Sequence, residues 1–196
     1  MLKENVFLKE GLSNFRTVGS ICSTSRFVAK AIAPIIKSND PPKIIVELGV
    51  GTGNVTKEIV KRLRPIDYFF GVDSNRNLLE VCLNNICSAG NAGNINLEHG
   101  DAQNIPELLL KYGIKEVDEI VCTIPFRILP KEDVEEILRQ VNNILKVGGC
   151  FKFIRYTFAP ENKMIKKILS NFKVVGKETI VRNIPPAGVV KMTKMI

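Results

Sequence analysis

The segment "KIIVELGVGTGNVTKEIVKRL", residues 43–63, constrains the fold more than any other part of the sequence. An apolar run that carries one acid, Glu47, leads directly into three glycines at alternate positions, Gly49, Gly51 and Gly53. Apolar residues then recur at helical spacing. The pattern predicts a buried strand, a tight glycine turn and the start of a helix, an arrangement that binds small molecules at the carboxyl edge of α/β sheets.

Strand-like and helix-like segments alternate through most of the remaining chain. The alternation continues as far as "CFKFIRYTF", residues 150–158, and predicts five parallel strands joined by right-handed helical crossovers. Two further strand-like segments near the C-terminus are separated only by "RNIPPA", residues 182–187, which favours an antiparallel hairpin. We predict an α/β, Rossmann-like, doubly wound seven-stranded sheet: five parallel strands plus a C-terminal antiparallel hairpin, preceded by an N-terminal helical segment.

One long amphipathic segment, "KEDVEEILRQVNNILKVGG", covers residues 131–149. Its helical spacing continues up to a pair of glycines, Gly148 and Gly149, which are typical of a helix end. The sequence therefore predicts a helix that ends at this pair, and a fifth strand that begins at Cys150.

The length of 196 residues fits a single domain, residues 1–196. A polar, proline-bearing break at residues 37–43 divides an N-terminal helical segment, residues 1–40, from the sheet, residues 41–196. No apolar run reaches the ~18–20 residues that a membrane span requires, and the first residues lack the apolar core of a signal peptide. We expect a cytoplasmic protein.

Cysteine and histidine provide little material for a metal site. The five cysteines are odd in number, none lies in a C-x-x-C pair, and the chain has one histidine. The sequence predicts reduced, buried thiols and no metal.

The net charge of +8 is unevenly distributed along the chain. Residues 151–196 contain ten Lys or Arg and two Asp or Glu, whereas the charges of residues 1–150 cancel. Such a basic region binds phosphates of lipid or nucleic acid, or else forms a solvated surface.

An acid at the end of the second predicted strand indicates the kind of ligand. Asp73 follows Gly51 by 22 residues, a position from which a carboxylate accepts both hydroxyls of a ribose. A glycine loop with such an acid suggests an adenosine-containing ligand. A dinucleotide is the first candidate, but the loop reads G-x-G-x-G and lacks the third glycine of G-x-G-x-x-G.

The wider pattern resembles class I S-adenosylmethionine-dependent methyltransferases. "VELGVGTGNVT" is similar to the first motif of that family, and "GVDSN", "HGDAQNIP" and "VDEIVCTIPF" follow in its order and spacing. The resemblance implies that the glycine loop lies against the methionine and ribose of S-adenosylmethionine (SAM), that Glu47 orients the loop and the ammonium group, that Asp73 binds the ribose, and that Asp101 and Ala102 flank the adenine. The implied cofactor-binding residues are Glu47, Gly49, Gly51, Thr52, Gly53, Asp73, Ser74, Asp101, Ala102 and Thr123.

The exit loop of the fourth predicted strand, "TIPF", is expected to contact the methyl acceptor. It resembles the Asn/Asp-Pro-Pro-Tyr/Phe or Asn-Ile-Pro-Tyr loop of nucleic-acid amino methyltransferases, with Thr123 in the position of Asn or Asp. That departure makes an exocyclic base amine a poorer acceptor. The catalytic candidates are Thr123, Pro125 and Phe126, together with Tyr156 after the fifth strand, which would hold or deprotonate an amine.

The ends of the chain resemble the phospholipid N-methyltransferase group, whose core is related to rRNA adenine dimethylases. The similar segments are "FLKEGLSNFRTVGSICSTSRFVAKAI", "TIPFRILP" and "VRNIPPAGV". The resemblance implies an aminophospholipid acceptor such as phosphatidylethanolamine, with Arg182 and Asn183 as substrate-binding residues. The amphipathic pattern within residues 1–20 fits a peripheral membrane contact, or equally a helix that packs on the sheet.

Three other functions remain open at this point. "TIPF" and the basic C-terminal region also fit an rRNA or tRNA adenine N-methyltransferase, although nucleic acid is the less favoured partner. The motifs are also compatible with a small-molecule methyltransferase, or with a protein that binds the cofactor without turnover.

Overall fold

The computed structural model describes residues 24–87, 94–156, 167–183 and 186–196, and its centre is a seven-stranded sheet. The strand order is β3-β2-β1-β4-β5-β7-β6. Strands β1 to β5 are parallel, and β7 pairs antiparallel with both β5 and β6. The predicted fold is confirmed. The strands are β1 (Ile44–Leu48), β2 (Tyr68–Asp73), β3 (Asn94–His99), β4 (Val117–Cys122), β5 (Leu145–Tyr156), β6 (Phe172–Ile180) and β7 (Ala187–Lys194).

Helices cover both faces of this sheet. Alternate residues of β1 point to opposite faces, so that Ile45 packs beneath α1 and α2 whereas Val46 packs beneath α4 and α5. Both residues are almost fully buried. The helices are α1 (Arg26–Ile32), α2 (Asn54–Val60), α3 (Arg76–Cys87), α4 (Ile105–Leu110), which follows a 3-10 turn at Ala102–Asn104, and α5 (Lys131–Ile144).

The predicted N-terminal helical segment is described from Thr24 onward, where α1 begins after Ser25. The Ser25 hydroxyl caps the helix by accepting a hydrogen bond from the Val28 backbone N–H. One face of α1, which carries Val28, Ala29 and Ile32, is buried against the sheet. This part of the segment is packed on the sheet, whereas the predicted membrane contact through residues 1–20 lies outside the described residues.

Arg64 fixes the polar break between α1 and β1. Its guanidinium binds both carboxylate oxygens of Asp67, at 2.7 and 2.9 Å, and donates to backbone carbonyls in the break. Asp67 is fully buried and also accepts from the Lys43 backbone N–H. Two parallel hydrogen bonds restrict the relative orientation of a guanidinium and a carboxylate. This pair therefore holds the segment between α1 and β1 in one position.

The prediction for the end of α5 was wrong. The helix ends at Ile144, and Leu145 already pairs with Val117 as the first residue of β5. The register then shifts, so that Glu119 pairs with Cys150. Gly148, with φ +79°, lies within this irregularity, where it allows an extra loop of backbone inside the strand instead of ending a helix.

The carboxyl edge of the sheet collects the segments that carry the predicted motifs. The loops after β1, β2, β3 and β4 leave the sheet there. The turn between β6 and β7 lies at the same edge, because Ala187 pairs with both Tyr156, the last residue of β5, and Ile180, the last residue of β6. Any ligand that uses these motifs together binds at this edge.

Within the described residues, no helix combines the length and the apolar character needed to cross a lipid bilayer.

Candidate functional site at the carboxyl edge of the sheet

The glycine loop after β1 has a left-handed backbone at each of its glycines. Gly49, Gly51 and Gly53 have φ values of +82°, +53° and +88°, which side-chain-bearing L-residues rarely adopt. The Gly49 N–H donates to the Val72 carbonyl at 2.8 Å, which holds the loop against β2. A Cβ atom at Gly51 would meet no protein atom within 4 Å, so this part of the loop faces open space. The loop therefore forms a cradle that a ligand can approach closely.

Asp73, at the end of β2, holds the loop from the other side. Its Oδ2 atom accepts from the Gly51 N–H at 2.8 Å, and its Oδ1 atom accepts from the Asn75 N–H at 2.8 Å. Burial raises the pKa of Asp73, and these two hydrogen bonds and His99 oppose the rise. Each carboxylate oxygen has a further lone pair, so the side chain retains capacity to accept from ligand hydroxyls.

Glu47, at the end of β1, is completely buried. Its Oε2 atom accepts from the Thr56 hydroxyl at 2.7 Å, whereas Oε1 has no hydrogen-bond partner among the described residues. Burial raises the pKa of Glu47 to about 8, and the neighbouring Asp73 adds to the rise. A buried carboxylate oxygen without a partner is costly, and a cationic ligand group would satisfy it.

Two residues that the sequence analysis missed support Glu47 from below the loop. Thr56, on α2, is fully buried, and its hydroxyl lies 3.6 Å from the Cys82 sulfur on α3. A Cβ atom at Gly53 would lie 2.8 Å from that sulfur, so the loop rests directly on α3. Thr56 is the third residue of α2, the helix that follows the glycine loop. A hydroxyl at this position was the signal in the sequence that could have identified it.

The end of β3 contributes the other predicted cofactor-binding residues. Asp101 accepts from the Gln103 N–H at 2.9 Å and so caps the 3-10 turn, and Ala102 is buried beneath it. His99 pairs with Asp73 across the sheet, and its Nε2 atom lies 3.1 Å from the Ser74 carbonyl oxygen. Ser74 and Asp101 therefore leave neighbouring strands at one corner of the site.

The remaining predicted cofactor-binding residue, Thr52, lies in the glycine loop, where its carbonyl accepts from the Asn85 side chain.

The exit loop of β4 is attached to the glycine loop through Thr123. The Thr123 hydroxyl donates to the Gly49 carbonyl, and its backbone N–H donates to the Leu48 carbonyl at 3.0 Å. A Cβ atom at Gly49 would lie 2.8 Å from Ile124, which shows how closely the two loops pack. The predicted catalytic loop thus borders the predicted cofactor loop directly.

Two further catalytic candidates follow Thr123 in this loop. The Pro125 carbonyl accepts from the Ile128 N–H at 3.1 Å, so the chain turns sharply there. The half-buried ring of Phe126 has its centre 6.3 Å from that of Phe153 on β5. Tyr156 ends β5 at the same edge, and its side chain lies outside the described part of the chain.

The predicted substrate-binding residues contact the start of α1. Asn183 is buried, and its side-chain oxygen accepts from the Ser25 backbone N–H at 3.2 Å. The guanidinium carbon of Arg182 lies 5.3 Å from the centre of the Phe27 ring, and that of Arg26 lies 4.9 Å from it. Arg26 and Phe27 were missed by the sequence analysis, because nothing local in the sequence links them to Arg182.

These residues fit SAM as a ligand. The unpaired Oε1 atom of Glu47 suits the cofactor's ammonium group, Asp73 retains acceptor capacity for ribose hydroxyls, and the space at Gly51 admits a close approach. Those roles remain predictions for the individual residues.

Comparisons with known proteins agree with this fit. A family model described as "Methyltransferase domain" matches residues 45–149, which is more than half of the chain. An ornithine lipid N-methyltransferase of Singulisphaera acidiphila is 24% identical over 183 residues, covering 93% of this chain and 92% of that protein. The ubiquinone/menaquinone biosynthesis C-methyltransferase UbiE of Wigglesworthia glossinidia brevipalpis is 27% identical over 139 residues, or 71% of this chain. This chain covers about half of that relative, 52% of its length.

A solved structure with SAM bound has the same fold. The magnesium protoporphyrin IX methyltransferase of Synechocystis PCC 6803 superimposes with a TM-score of 0.63 at 12% identity, covering 93% of this chain and 80% of that one. The family model matches residues 45–149, the part of the chain that contains the glycine loop and the acids at the ends of β1 and β2. The strand order of the sheet agrees with this match. The chain belongs to the methyltransferase domain family and is a class I SAM-dependent methyltransferase, with SAM as its cofactor.

Proposed function

We propose that this protein transfers a methyl group from SAM to the amine of an aminolipid such as phosphatidylethanolamine. The observation that carries the proposal is the extent of the similarity to the ornithine lipid N-methyltransferase. An alignment over 183 of 196 residues necessarily runs beyond residues 45–149 at both ends. The similarity therefore includes segments outside the shared methyltransferase core, and those segments are where acceptor specificity is expected.

The contacts between those end segments support the same proposal. Ser25 and Arg26, at the start of α1, and Arg182 and Asn183, after β6, belong to the stretches that resemble phospholipid N-methyltransferases. They meet through the Ser25–Asn183 hydrogen bond and through the packing of Arg182 on Phe27. Their contact lies at the carboxyl edge of the sheet, where the glycine loop also lies. This position suits a shared role in binding the acceptor.

The residues of this chain align the acceptor and exclude water. When bound, SAM supplies an electrophilic methyl group on its sulfonium. The attachment of Thr123 to the Gly49 carbonyl holds the β4 exit loop beside the cofactor loop, and the Phe126 ring provides an apolar wall that suits a methylated ammonium. The acceptor ammonium must release a proton to solvent before its nitrogen attacks, and in this proposal the Tyr156 hydroxyl holds the amine in place. Arg182 binds the lipid phosphate in this proposal.

The direct test is transfer of labelled methyl from SAM to separate acceptor pools. Vesicles containing phosphatidylethanolamine or an ornithine lipid are compared with total RNA and with a set of small-molecule amines at matched salt. We expect label in the aminolipid. Label in RNA would instead support adenine methylation, and label in the small amines would replace the lipid acceptor with a soluble one.

A pair of glycine variants tests the cofactor cradle independently of the acceptor. Gly51 and Gly113 both have positive φ, +53° and +71°, and a Cβ atom at either would meet no protein atom within 4 Å. Alanine at either position is expected to cost about 1–2 kcal/mol of stability through backbone strain alone. Gly51→Ala should also weaken SAM binding at least about tenfold, because the new methyl group occupies the cradle.

Gly113→Ala is the matched control, since Gly113 follows α4 at the opposite edge of the sheet. Calorimetric titration with SAM and chemical denaturation measure the two quantities on the same samples. Equal SAM affinities in the two variants would contradict the location of the cofactor.

A further inference from the structure

Two loops at the carboxyl edge each expose an aliphatic side chain beside an arginine. In the β4 exit loop, Ile128 is 50% exposed and follows the exposed Arg127. In the turn after β6, Val181 is 72% exposed and precedes the exposed Arg182. A single exposed aliphatic residue is ordinary on a protein surface. Two such pairs beside the predicted acceptor site are not explained by the packing of the fold.

The two pairs flank the ends of the central strands from opposite faces of the sheet. The β4 loop packs through Phe126 on the face covered by α4 and α5. The turn after β6 follows Ile180, which packs on the face covered by α1 and α2. Strands β4 and β6, which the two pairs follow, are three positions apart in the sheet, or about 14 Å. The pairs therefore bracket the place where an acceptor approaches the predicted catalytic loop.

Within the two loops that carry these pairs, the charged residues are both arginines. Residues 123–130 and 181–186 contain no Asp or Glu. Arg26 adds a third guanidinium, because it and Arg182 lie against the same Phe27 ring. Holding two cations on one ring costs repulsion, which phosphate groups between or beside them would relieve.

We infer that Arg127, Ile128, Val181 and Arg182, here called the carboxyl-edge rim, dock on an anionic phospholipid surface. The two aliphatic side chains enter the headgroup layer while the arginines bind lipid phosphates. An aminolipid headgroup would then reach the site between the two loops without leaving the bilayer. This inference rests on the proposed function, and it adds a membrane contact formed by the folded domain itself to the one predicted for residues 1–20.

Vesicle binding of two matched double variants tests the rim. Ile128→Ser/Val181→Ser removes its aliphatic groups. The control, Ile66→Ser/Val147→Ser, removes one isoleucine and one valine that are 54% and 59% exposed at the opposite edge of the sheet. With the full chain and vesicles of phosphatidylethanolamine and phosphatidylglycerol, we expect the rim variant to lose at least about tenfold in partition coefficient. The control should stay within about twofold of the wild type. Equal partitioning of the two variants would overturn the inference.

The charge of the vesicle provides a second readout on the same proteins. Binding of the wild type should fall as salt is raised, and it should be weaker on neutral phosphatidylcholine vesicles, because arginine–phosphate attraction at a surface is screened. Equal binding to neutral and anionic vesicles at all salt concentrations would contradict the anionic partner.

A dispersed substrate separates failure of the inference from failure of the proposed function. The rim variant should methylate a water-soluble, short-chain aminolipid at the wild-type rate while losing activity on vesicles. If the wild type methylates the short-chain lipid but the rim variant binds vesicles normally, the inference alone fails. If the wild type methylates no aminolipid yet binds vesicles through the rim, the proposed acceptor fails and the docking surface stands.

Discussion

Replacing Glu47 with glutamine is expected to remove a pH-dependent loss of stability from the ligand-free protein. The pKa of Glu47 is raised from 4.5 to about 8 in the folded state, chiefly because the side chain is fully buried. Between those pH values the unfolded chain releases the proton and the folded protein keeps it. Stability that is fully present below pH 4.5 is therefore lost as the pH rises, until the loss levels off above about pH 8.

The complete loss is about 5 kcal/mol, since the two pKa values differ by about 3.5 units and each unit corresponds to about 1.4 kcal/mol. About 4 kcal/mol of this loss falls between pH 4.5 and pH 8, because Glu47 is half-titrated in one state at each of these pH values. Glutamine keeps an acceptor for the Thr56 hydroxyl and does not titrate. The unfolding free energy of Glu47→Gln should thus rise by about this amount relative to the wild type between pH 4.5 and pH 8.

Chemical denaturation at a series of pH values measures the difference. Glu116→Gln, at an exposed glutamate before β4, is the control and should follow the wild-type profile. Parallel profiles for Glu47→Gln and the wild type would show that the pKa of Glu47 is the same in the folded and unfolded states. If Glu47 also holds the SAM ammonium group, the more stable variant will bind SAM more weakly, because glutamine cannot release a proton to give the carboxylate that pairs with the ammonium.

Much of the fold could be predicted because each strand of the parallel sheet is a short apolar run bounded by a turn. The segments at β1 and β2 are nearly continuous apolar residues, as expected for strands that are buried on both faces. The junction of α5 and β5 could not be predicted in the same way. Leu145 continues the apolar spacing of the helix, yet it is fully buried as the first residue of the strand. Sheet pairing with Val117 overrides the helical pattern there.

The candidate site divides along similar lines. Gly49, Gly51 and the acids Glu47 and Asp73 could be identified because they stand at strand ends, where local sequence specifies both the turn and the charge. The Ser25–Asn183 hydrogen bond joins residues 158 positions apart, so no local pattern indicates it. The clustering of Arg26 and Arg182 on Phe27 depends on the same long-range packing.

The largest expected loss of cofactor affinity is for Asp73→Ala. Hydrogen bonds to a charged acceptor contribute about 1.5–3 kcal/mol each, so losing those to both ribose hydroxyls should weaken SAM binding at least about 100-fold. The variant also leaves the N–H groups of Gly51 and Asn75 without their acceptor, which we expect to lower stability by about 1–3 kcal/mol. The fold should persist, because Asp73 lies at the end of β2 and outside the hydrophobic clusters.

Asp118→Ala separates these two consequences. Asp118 also accepts a backbone hydrogen bond, from the Ile44 N–H at 2.8 Å, but it lies near the start of β4 at the opposite edge of the sheet. The Asp118→Ala variant should therefore be less stable than the wild type but bind SAM with unchanged affinity.

Ribose-modified ligands locate the lost interaction at Asp73. S-adenosylhomocysteine lacks the transferred methyl group and keeps the ribose, so Asp73→Ala should weaken its binding by the same factor as for SAM. Its 2′-deoxy analogue should bind the wild type less tightly than the parent compound, whereas the variant should distinguish the two much less. If the variant discriminates between the two analogues as strongly as the wild type, then Asp73 does not bind the 2′-hydroxyl. Its carboxylate would in that case act only through the Gly51 and Asn75 hydrogen bonds that shape the loop.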